Sequence, residues 1–325
     1  MKRVDLQNKR IFYLGPVYFD YDKYLIKKLN QLGANVTPFE LHLNTIGLKF
    51  IRKFKPSELE SYKKNYYDKA LSKSNYDYVL VRHGFQLPPS FYQQLRKTNP
   101  NARFINFHWD SLKPNYDYRP ILSCFDKVFS FDYKDCATHK EVQYLPLYYI
   151  DEYSKVQSNG NKNKNDILFI GAWRNTERYN LVKKTEKICE QADLKFSHYL
   201  YQPLWTYFVS IKEGIVPKEV RFKKLSPREI IRLFSISNTI IDFPSSFQTG
   251  LTIRTFEALA AGKKLITTNK NIITEPFYNP EMINIVELDN FKLDIDFIKS
   301  NPKLSLKEKI KDYSLENYIY KLLDE

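Results

Sequence analysis

The sequence predicts an α/β protein built from two open parallel sheets, and three observations carry that prediction. The chain has 325 residues, more than a single hydrophobic core usually serves, so two domains are expected. Short β-branched or aromatic runs alternate with longer helical patterns in both halves, the order that gives parallel strands joined by crossover helices. A polar stretch at 154–166, rich in Asn and Lys, separates the halves.

The first half opens with a buried strand, an amphipathic helix that ends at Gly33, and a second strand. Their predicted bounds are 10–16, 20–33 and 34–41. The alternation continues with a strand at 76–84, a helix between prolines at 88–100, and strands at 102–109 and 126–132.

The second half repeats this alternation after the polar stretch. The predicted elements are strands at 166–173, 194–201, 238–243 and 263–269 and helices at 176–192, 226–237 and 252–262. We therefore place domains at 1–152 and 167–325 with a linker at 153–166, and a return of the C-terminal helices to the first domain is compatible with this division. Two such sheets predict Rossmann-like domains facing a cleft, with ligands beyond the carboxyl ends of the strands.

Composition and charge narrow the class of protein. The formal net charge is +14, and residues 1–150 hold 24 basic and 14 acidic side chains. A hydrophobic content of 43% is too high for a disordered chain. Three widely spaced cysteines argue against a disulfide framework, and no apolar run reaches the length of a membrane span. We therefore expect a cytoplasmic protein.

The segment 49–73 is the most basic part of the first half. It carries eight basic and three acidic residues interleaved with five aromatic rings. This mixture favours peripheral contact with an anionic membrane at the inner face of the plasma membrane. The alternative is an ordinary solvated helix whose rings face the core.

The most informative segment is FPSSFQTGLTIRTFEALAAGKKLITTN at 243–269. A strand ends in small hydroxyl residues and Gly250, and a helix then runs to Gly262. The first amides of that helix, its dipole and the neighbouring hydroxyls predict a site for a diphosphate. Arg254 and Glu257 share a helix face, so they suit a phosphate and a ribose diol; the alternative is a simple intrahelical ion pair.

The residues GLTIRTFEALAAGKKLITTN at 250–269 resemble the donor-binding segment of GT-B glycosyltransferases. The resemblance is to enzymes of bacterial capsule, O-antigen and lipopolysaccharide synthesis related to the glycosyl transferases group 1 and CgeB-like proteins. The segments FHWDSLKP (107–114), FDKVFSFDYKDC (125–136), YLPLYY (144–149) and FIGAWRNTER (169–178) resemble parts of the same proteins. The expected fold is GT-B, and the expected partner is a nucleotide-diphosphate sugar.

The resemblance also implies roles for individual residues. Glu257 would hold the donor ribose and Arg254 the pyrophosphate. Further donor contacts would come from Gly171, Arg174, Arg178 and the amides of Gly250, Leu251 and Thr252. Retaining relatives often carry an acid eight positions before the ribose glutamate, where this chain has Thr249. An inverting, metal-independent displacement is therefore expected, which needs a base for the acceptor hydroxyl.

The candidate bases follow predicted strands of the first domain. Asp110 ranks first, His83 second and His108 third. The alternatives are a turn cap for Asp110 and buried, hydrogen-bonded imidazoles for the histidines. Asp132 and Asp135 are interpreted as caps of the helix that follows them.

The sequence lacks the motifs of metal sites, dinucleotide-binding enzymes, NTPases and serine hydrolases. Neither of the acidic pairs Asp20/Asp22 and Asp294/Asp296 follows a strand in a nucleotide-holding context, and no two histidines have metal-ligand spacing on one helix face. There is no GxGxxG, P-loop or GxSxG motif, so no cofactor or metal is expected.

The sequence thus predicts a glycosyltransferase of surface polysaccharide synthesis whose acceptor is a lipid-linked or lipid A-linked saccharide. Two alternatives stay open: a polyol-phosphate transferase of the same architecture, and a non-catalytic polyanion-binding protein. Nucleic acid is not an expected partner, because the basic residues form no recognisable reading motif.

Overall fold

The structure is a computed structural model, and it describes residues 3–16, 20–41, 46–156, 164–173, 175–212, 218–302 and 305–324. The chain divides into two compact units. Unit 1 comprises Met1–Pro146 and Leu315–Glu325, and unit 2 comprises Leu147–Ser314. Much of the predicted linker falls on 157–163, which lie outside the described residues.

Unit 1 is built on a six-stranded sheet. Its strands are β1 (Arg10–Gly15), β2 (Asn35–Glu40), β3 (Tyr78–Arg82), β4 (Arg103–His108), β5 (Lys127–Ser130) and β6 (Val142–Tyr144). Their order is β2-β1-β3-β4-β5-β6, and every pairing is parallel. The order reverses between β1 and β3, which marks the switch point where such sheets bind ligands.

Among its described residues, the first segment of unit 1 contains five α-helices. They are α1 (Asp20–Gln31), α2 (Ile46–Phe54), α3 (Leu59–Leu71), α4 (Pro89–Thr98) and α5 (Tyr133–Thr138). Proline at the first position starts α4, where a missing amide hydrogen does no harm. Asp132 caps α5 by accepting from the amides of Lys134 and Asp135, which confirms its predicted capping role.

Unit 2 contains the second six-stranded sheet. Its strands are β7 (Asn165–Ala172), β8 (Phe196–Tyr201), β9 (Val220–Arg221), β10 (Ser237–Asp242), β11 (Lys264–Thr267) and β12 (Ile283–Ile285). The order is β12-β11-β10-β7-β8-β9, again parallel throughout. This is the dinucleotide-binding strand order, with its switch point between β7 and β10. The prediction of two open parallel sheets is confirmed.

In the described part of unit 2, six helices accompany this sheet. They are α6 (Asp151–Ser154), α7 (Thr176–Gln191), α8 (Leu204–Lys212), α9 (Pro227–Ser235), α10 (Ile253–Ala260) and α11 (Ile295–Lys299). Asn175 caps α7, and Ser226 with Glu229 forms a capping box on α9. Asp294 caps α11 by accepting from the Phe297 amide at 2.9 Å, so its carboxylate has a structural partner.

The helix α10 ends in a Schellman motif. Gly262 takes φ +66°, the amide of Gly262 bonds to Leu259 O at 3.0 Å, and the amide of Lys263 bonds to Ala258 O at 2.9 Å. A glycine at this position avoids the steric penalty of a side chain in left-handed backbone. The predicted stop of the helix at Gly262 is therefore confirmed.

The last helix, α12 (Leu315–Leu323), belongs to unit 1. Its apolar face is buried at positions spaced three and four apart, namely Leu315, Tyr318, Ile319, Leu322 and Leu323. The indole of Trp109, which follows β4, donates to the Tyr318 hydroxyl at 3.0 Å. None of the helices in the described part of the chain combines the length and apolar character needed to cross a bilayer.

Candidate functional site

The carboxyl edge of the unit 2 sheet gathers the residues predicted to hold a donor. The chain leaves β7 and β10 at the switch point and continues into α7 and α10. The loop 243–252 joins β10 to α10, and it contains Gly250. Ligands of open parallel sheets bind at this place because loops from adjacent strands diverge there.

Two asparagines hold the loop before α10. Asn269 Nδ2 donates to the carbonyls of Thr249 at 3.1 Å and Gly250 at 3.0 Å. Asn271 Nδ2 donates to Thr249 O at 2.9 Å. These bonds attach the Thr249 and Gly250 carbonyls to the segment that follows β11. Within the described residues, the amides of Leu251 and Thr252 have no protein acceptor, so this junction presents backbone donors.

A carboxylate lies beside the same junction. Thr252 Oγ1 donates to Asp242 Oδ2 at 2.5 Å, and Asp242 is the last residue of β10. The Thr252 hydroxyl, predicted as a phosphate donor, is therefore engaged by an acid. Sequence reasoning missed Asp242, although its position at the end of a strand before the glycine loop was a usable signal.

Arg254 and Glu257 form a close pair on α10. Arg254 Nη1 lies 2.5 Å from Glu257 Oε2, and the guanidinium lies 5.3 Å from the centre of the Phe234 ring. Glu257 is fully buried, whereas the Arg254 side chain keeps 14% exposure. Arg254 and Glu257 thus form the intrahelical ion pair that the alternative interpretation describes. Its burial makes the partners strongly dependent on each other.

Arg178 connects the two strands of the switch point. Its guanidinium donates to Ala172 O at 3.2 Å and to Phe243 O at 2.5 Å, at the ends of β7 and β10. Packing explains the glycine at position 171, because a Cβ there would lie 2.6 Å from Cζ of Phe169. Arg174 lies outside the described residues.

The carboxyl edge of unit 1 carries the predicted bases. His83 follows β3 with φ +71°, a left-handed conformation that is strained for a non-glycine residue. Arg82 Nη1 lies 2.8 Å from His83 Nε2. Because a guanidinium has only donors, Nε2 accepts, and the ring proton of neutral His83 sits on Nδ1.

Asp110 lies next to His83 and is more open to solvent. Its Oδ2 is 3.9 Å from His83 Nε2, and its side chain is 38% exposed. The hydroxyl of the neighbouring Ser111 donates to Asp132 Oδ2 at 2.6 Å. Of the three candidate bases, Asp110 is the most accessible.

His108 is buried between fixed partners. Asn106 Nδ2 donates to Val81 O at 2.8 Å, so its Oδ1 must accept from His108 Nε2 at 2.7 Å. The proton therefore sits on Nε2, and His108 Nδ1 accepts from the Tyr116 hydroxyl at 3.2 Å. Burial lowers the pKa of His108 well below its usual value. Both nitrogens are occupied, as the buried-imidazole alternative describes.

A buried ion pair that the sequence did not reveal supports this edge. Arg82 donates to both oxygens of Asp22 at 2.6 and 2.8 Å, and Tyr13 also bonds to Asp22. Burial raises the pKa of Asp22, while the Arg82 guanidinium opposes that rise. Arg82 also lies 4.4 Å from the centre of the Trp109 ring. The carboxylate of Asp22 is committed to this network.

Asp135 differs from the predicted cap. It is buried inside α5 and accepts from the Leu112 amide at 2.9 Å and the Tyr118 hydroxyl at 3.0 Å. It joins α5 to the segment after β4 instead of capping the helix.

One group of metal-capable side chains occurs in the described ranges. Glu186, His198 and Glu219 place ligand atoms within 4.8 Å of one another. Lys183 Nζ lies among them, 2.6 Å from Glu186 and 2.8 Å from Glu219. The lysine ammonium supplies the positive charge that these acids require.

The basic segment 49–73 divides into two kinds of surface. Tyr66 and Tyr67 on α3 turn inward and donate to Glu40 O at 2.8 Å and Leu41 O at 3.1 Å. Phe50 and Phe54 on α2 are 54% and 61% exposed, with ring centres 4.9 Å apart. The α3 rings thus face the core, as the alternative interpretation describes, whereas the α2 rings are exposed to solvent.

Comparison with solved structures identifies the fold. A candidate UDP-N-acetylglucosamine 2-epimerase of Listeria monocytogenes is similar over 97% of this chain and 94% of its own, with 9% identity and a TM-score of 0.50. The catalytic domain of starch synthase IV of Arabidopsis thaliana, bound to ADP and acarbose, is similar over 98% and 96%, with 11% identity and a TM-score of 0.51. No protein-family model and no curated protein matches the chain. The two units have the Rossmann-like architecture of the GT-B fold.

Proposed function

We propose that the chain is a glycosyltransferase that moves a sugar from a nucleotide-diphosphate donor to a saccharide acceptor. The observation that carries this proposal is the junction before α10. Asn269 and Asn271 hold the preceding carbonyls, and the amides of Leu251 and Thr252 have no protein acceptor among the described residues. Such a junction binds a phosphate group through its amides and the helix dipole.

The donor would occupy this junction with its diphosphate on the amides of Gly250, Leu251 and Thr252. Arg254 stands in the first turn of α10, and it would move from Glu257 to a phosphate oxygen. The carboxylate of Glu257 would then accept from the two ribose hydroxyls. The buried carboxylate of Glu257 would thus accept hydrogen bonds in both states, from Arg254 before the donor binds and from the ribose hydroxyls afterwards. The starch synthase domain holds ADP, a nucleoside diphosphate of the kind proposed here.

The loop after β7 would complete the donor site. Arg178 ties the ends of β7 and β10 through two carbonyls, and we assign it first to holding these loops in place. Arg174 and Gly171 would lie along the phosphates, as the resemblance implies. Positive groups here would stabilise the leaving nucleoside diphosphate.

The reaction would be a single displacement with inversion. The acceptor hydroxyl attacks the anomeric carbon, the bond from that carbon to the diphosphate oxygen breaks, and the hydroxyl proton goes to a base. Asp110 is the preferred base because its carboxylate is exposed. His83 would need Arg82 to release Nε2, and His108 is the weakest candidate because both its nitrogens are engaged. Amides and arginines would neutralise the diphosphate, so the proposal includes no metal.

The acceptor would be a lipid-linked or lipid A-linked saccharide of a bacterial surface polysaccharide. The exposed rings of Phe50 and Phe54 support a peripheral position at the inner face of the plasma membrane. Lys53 Nζ lies 5.2 Å from the centre of the Phe54 ring, so cation and ring share one surface. Anionic headgroups suit such a surface.

A donor panel tests the function. Purified protein is melted with UDP-, GDP-, ADP- and CMP-linked sugars and with a cytidine diphosphate polyol, and products with saccharide acceptors are identified by mass spectrometry. One nucleotide sugar should raise the melting temperature and be consumed. Polyol-phosphate transfer would favour the second enzyme interpretation, and duplex DNA retention without nucleotide protection would favour a polyanion-binding protein.

The donor residues are tested with variants that keep the fold. Glu257→Gln retains the shape and an acceptor for Arg254, and it should weaken donor binding about 10- to 100-fold, the value of a lost charged hydrogen bond. Arg254→Lys should weaken it as well, because an ammonium lacks the planar fork. Arg228→Ala, on the exposed face of α9, is the matched control. Normal donor affinity in both site variants would refute the assignment.

A further inference from the structure

Helix α8 in unit 2 is turned with its apolar side outward. Among the large hydrophobic residues exposed in the described chain are five from this nine-residue helix. Their exposed fractions are 53% for Leu204, 75% for Trp205, 53% for Phe208, 37% for Val209 and 39% for Ile211. The one buried residue of the helix is Ser210, which is 5% exposed. Surface helices of folded domains normally bury the apolar face instead.

A polar anchor fixes this orientation. Ser210 Oγ accepts from Gln202 Nε2 at 2.7 Å and donates to Thr206 O at 2.8 Å. Gln202 is fully buried, and its own amide donates to Arg221 O at 2.9 Å. Rotating α8 to hide its rings would break the bond between Gln202 and Ser210 and leave the buried Gln202 amide donor unpaired. The outward face is therefore a stable property of the fold.

Exposed basic side chains occur on α8 and in the chain that follows it. Phe222 extends the face, since it is 48% exposed and its ring centre lies 5.1 Å from that of Tyr207 on α8. Exposed cations on α8 and on the segment after it are Lys212, Lys218, Arg221, Lys223 and Lys224. The nearby acid Glu219 is held by Lys183 at 2.8 Å. We call Leu204, Trp205, Phe208, Val209, Ile211, Phe222 and these cations the α8 surface.

We propose that the α8 surface binds an anionic lipid bilayer. Trp205 and Phe208 enter the headgroup layer, and the cations of the α8 surface lie against lipid phosphates. Aromatic residues with lysine and arginine at their border are the composition that interfacial helices use. A second copy of the chain fits less well, because a two-fold contact would bring the same cations against each other.

Helix α8 lies at the same sheet edge as the proposed donor site. The helix follows β8 after only Gln202 and Pro203, so it starts from the carboxyl edge of the unit 2 sheet. The Trp173 amide, just after β7, donates to Tyr201 O at 2.7 Å, which ties this region to the loop of the proposed donor site. Membrane binding by α8 does not depend on the proposed transferase activity. An experiment can therefore refute one of these two proposals and leave the other standing.

Vesicle binding tests the proposal on the full chain. We compare vesicles of phosphatidylcholine alone with vesicles that also contain phosphatidylglycerol, using flotation and tryptophan fluorescence. The wild type should float with the anionic vesicles, bind less as salt is added, and shift its emission to shorter wavelength. Trp205→Ser combined with Phe208→Ser should lower the partition coefficient about tenfold or more and remove most of the shift.

Matched variants show whether binding is specific to the α8 surface. Ile273→Ser removes a side chain of similar exposure, 55%, from another element and should leave partitioning unchanged. Circular dichroism melts of the double variant should match the wild type, because both side chains are solvent-exposed. Phe50→Ser with Phe54→Ser tests α2 separately.

Three results would overturn the proposal. The first is equal partitioning of the wild type and the α8 double variant. The second is a complete loss of vesicle binding in the α2 variant while the α8 double variant binds as well as the wild type. The third is a wild-type dimer that the α8 variant converts to a monomer while vesicle binding is unchanged, which would make the face a contact between copies.

Discussion

Replacing Arg254 with alanine should be far more damaging to unit 2 than neutralising its partner. Glu257 is fully buried and lies 2.5 Å from the guanidinium. Arg254→Ala leaves that carboxylate inside the protein without its cation, a change that destabilises by about 3–5 kcal/mol. Glu257→Gln leaves an arginine that is 14% exposed and still has an amide acceptor. This variant should therefore lose only about 1–2 kcal/mol of its free energy of unfolding.

The size of the effect is measurable by calorimetry. For a domain of 150–250 residues, 1 kcal/mol corresponds to about 2–4 °C, so Arg254→Ala should lower the melting temperature of unit 2 by about 6–20 °C. Arg254→Ala combined with Glu257→Gln should recover part of the loss at neutral pH.

Two results would refute this reasoning. A melting temperature for Arg254→Ala within about 2 °C of the wild type would show that Glu257 does not depend on Arg254 for its charge. A double variant less stable than Arg254→Ala would show that the loss comes from packing of the arginine stem against Phe234 and not from the buried charge.

Three further predictions concern the two sheet edges. Asp110→Asn should lower kcat about 10²- to 10⁴-fold with unchanged donor affinity, and wild-type activity in both Asp110→Asn and His83→Ala would exclude these bases. His108 has a pKa lowered by burial, so its neutral form favours the fold; stability should fall as the pH drops below about 6.5, by at most about 1.4 kcal/mol per pH unit. Thermal melts from pH 7 to 5 should show this slope, and it should be reduced in His108→Gln. Asn269→Ala removes one hydrogen bond from each of the Thr249 and Gly250 carbonyls, which keep those from Asn271 and Gln248. It should weaken donor binding by up to about tenfold in calorimetric titrations, whereas Asn279→Ala, outside this junction, should not.

Local signals in the sequence were sufficient for most of the long elements, although no bounds were predicted for α2, α3 and α12. The strands and helices predicted from periodicity agree with the structure to within a few residues, because each has at least four residues and a clear apolar pattern. The strands β6, β9 and β12 have two or three residues, too few to show an alternation. Helix α8 escaped detection as an element because its apolar residues are exposed, and no periodicity rule anticipates a buried serine beneath them.

The candidate site was predictable only in part, for a related reason. Gly250, Arg254 and Glu257 are neighbours in sequence, so spacing places them together. Asn269 reaches the same junction from 20 residues away, and Asp22 meets Arg82 across 60 residues. Such pairs depend on which strands are adjacent, and the strand order becomes known only from the fold.

The bond from Trp109 to Tyr318 spans 209 residues of chain. At a translation rate of about 5–20 residues per second, a ribosome needs about 10–40 s to make the intervening polypeptide. During that interval unit 1 lacks the helix α12, which supplies the partner of Trp109. Unit 1 therefore cannot complete its packing until unit 2 has been synthesised.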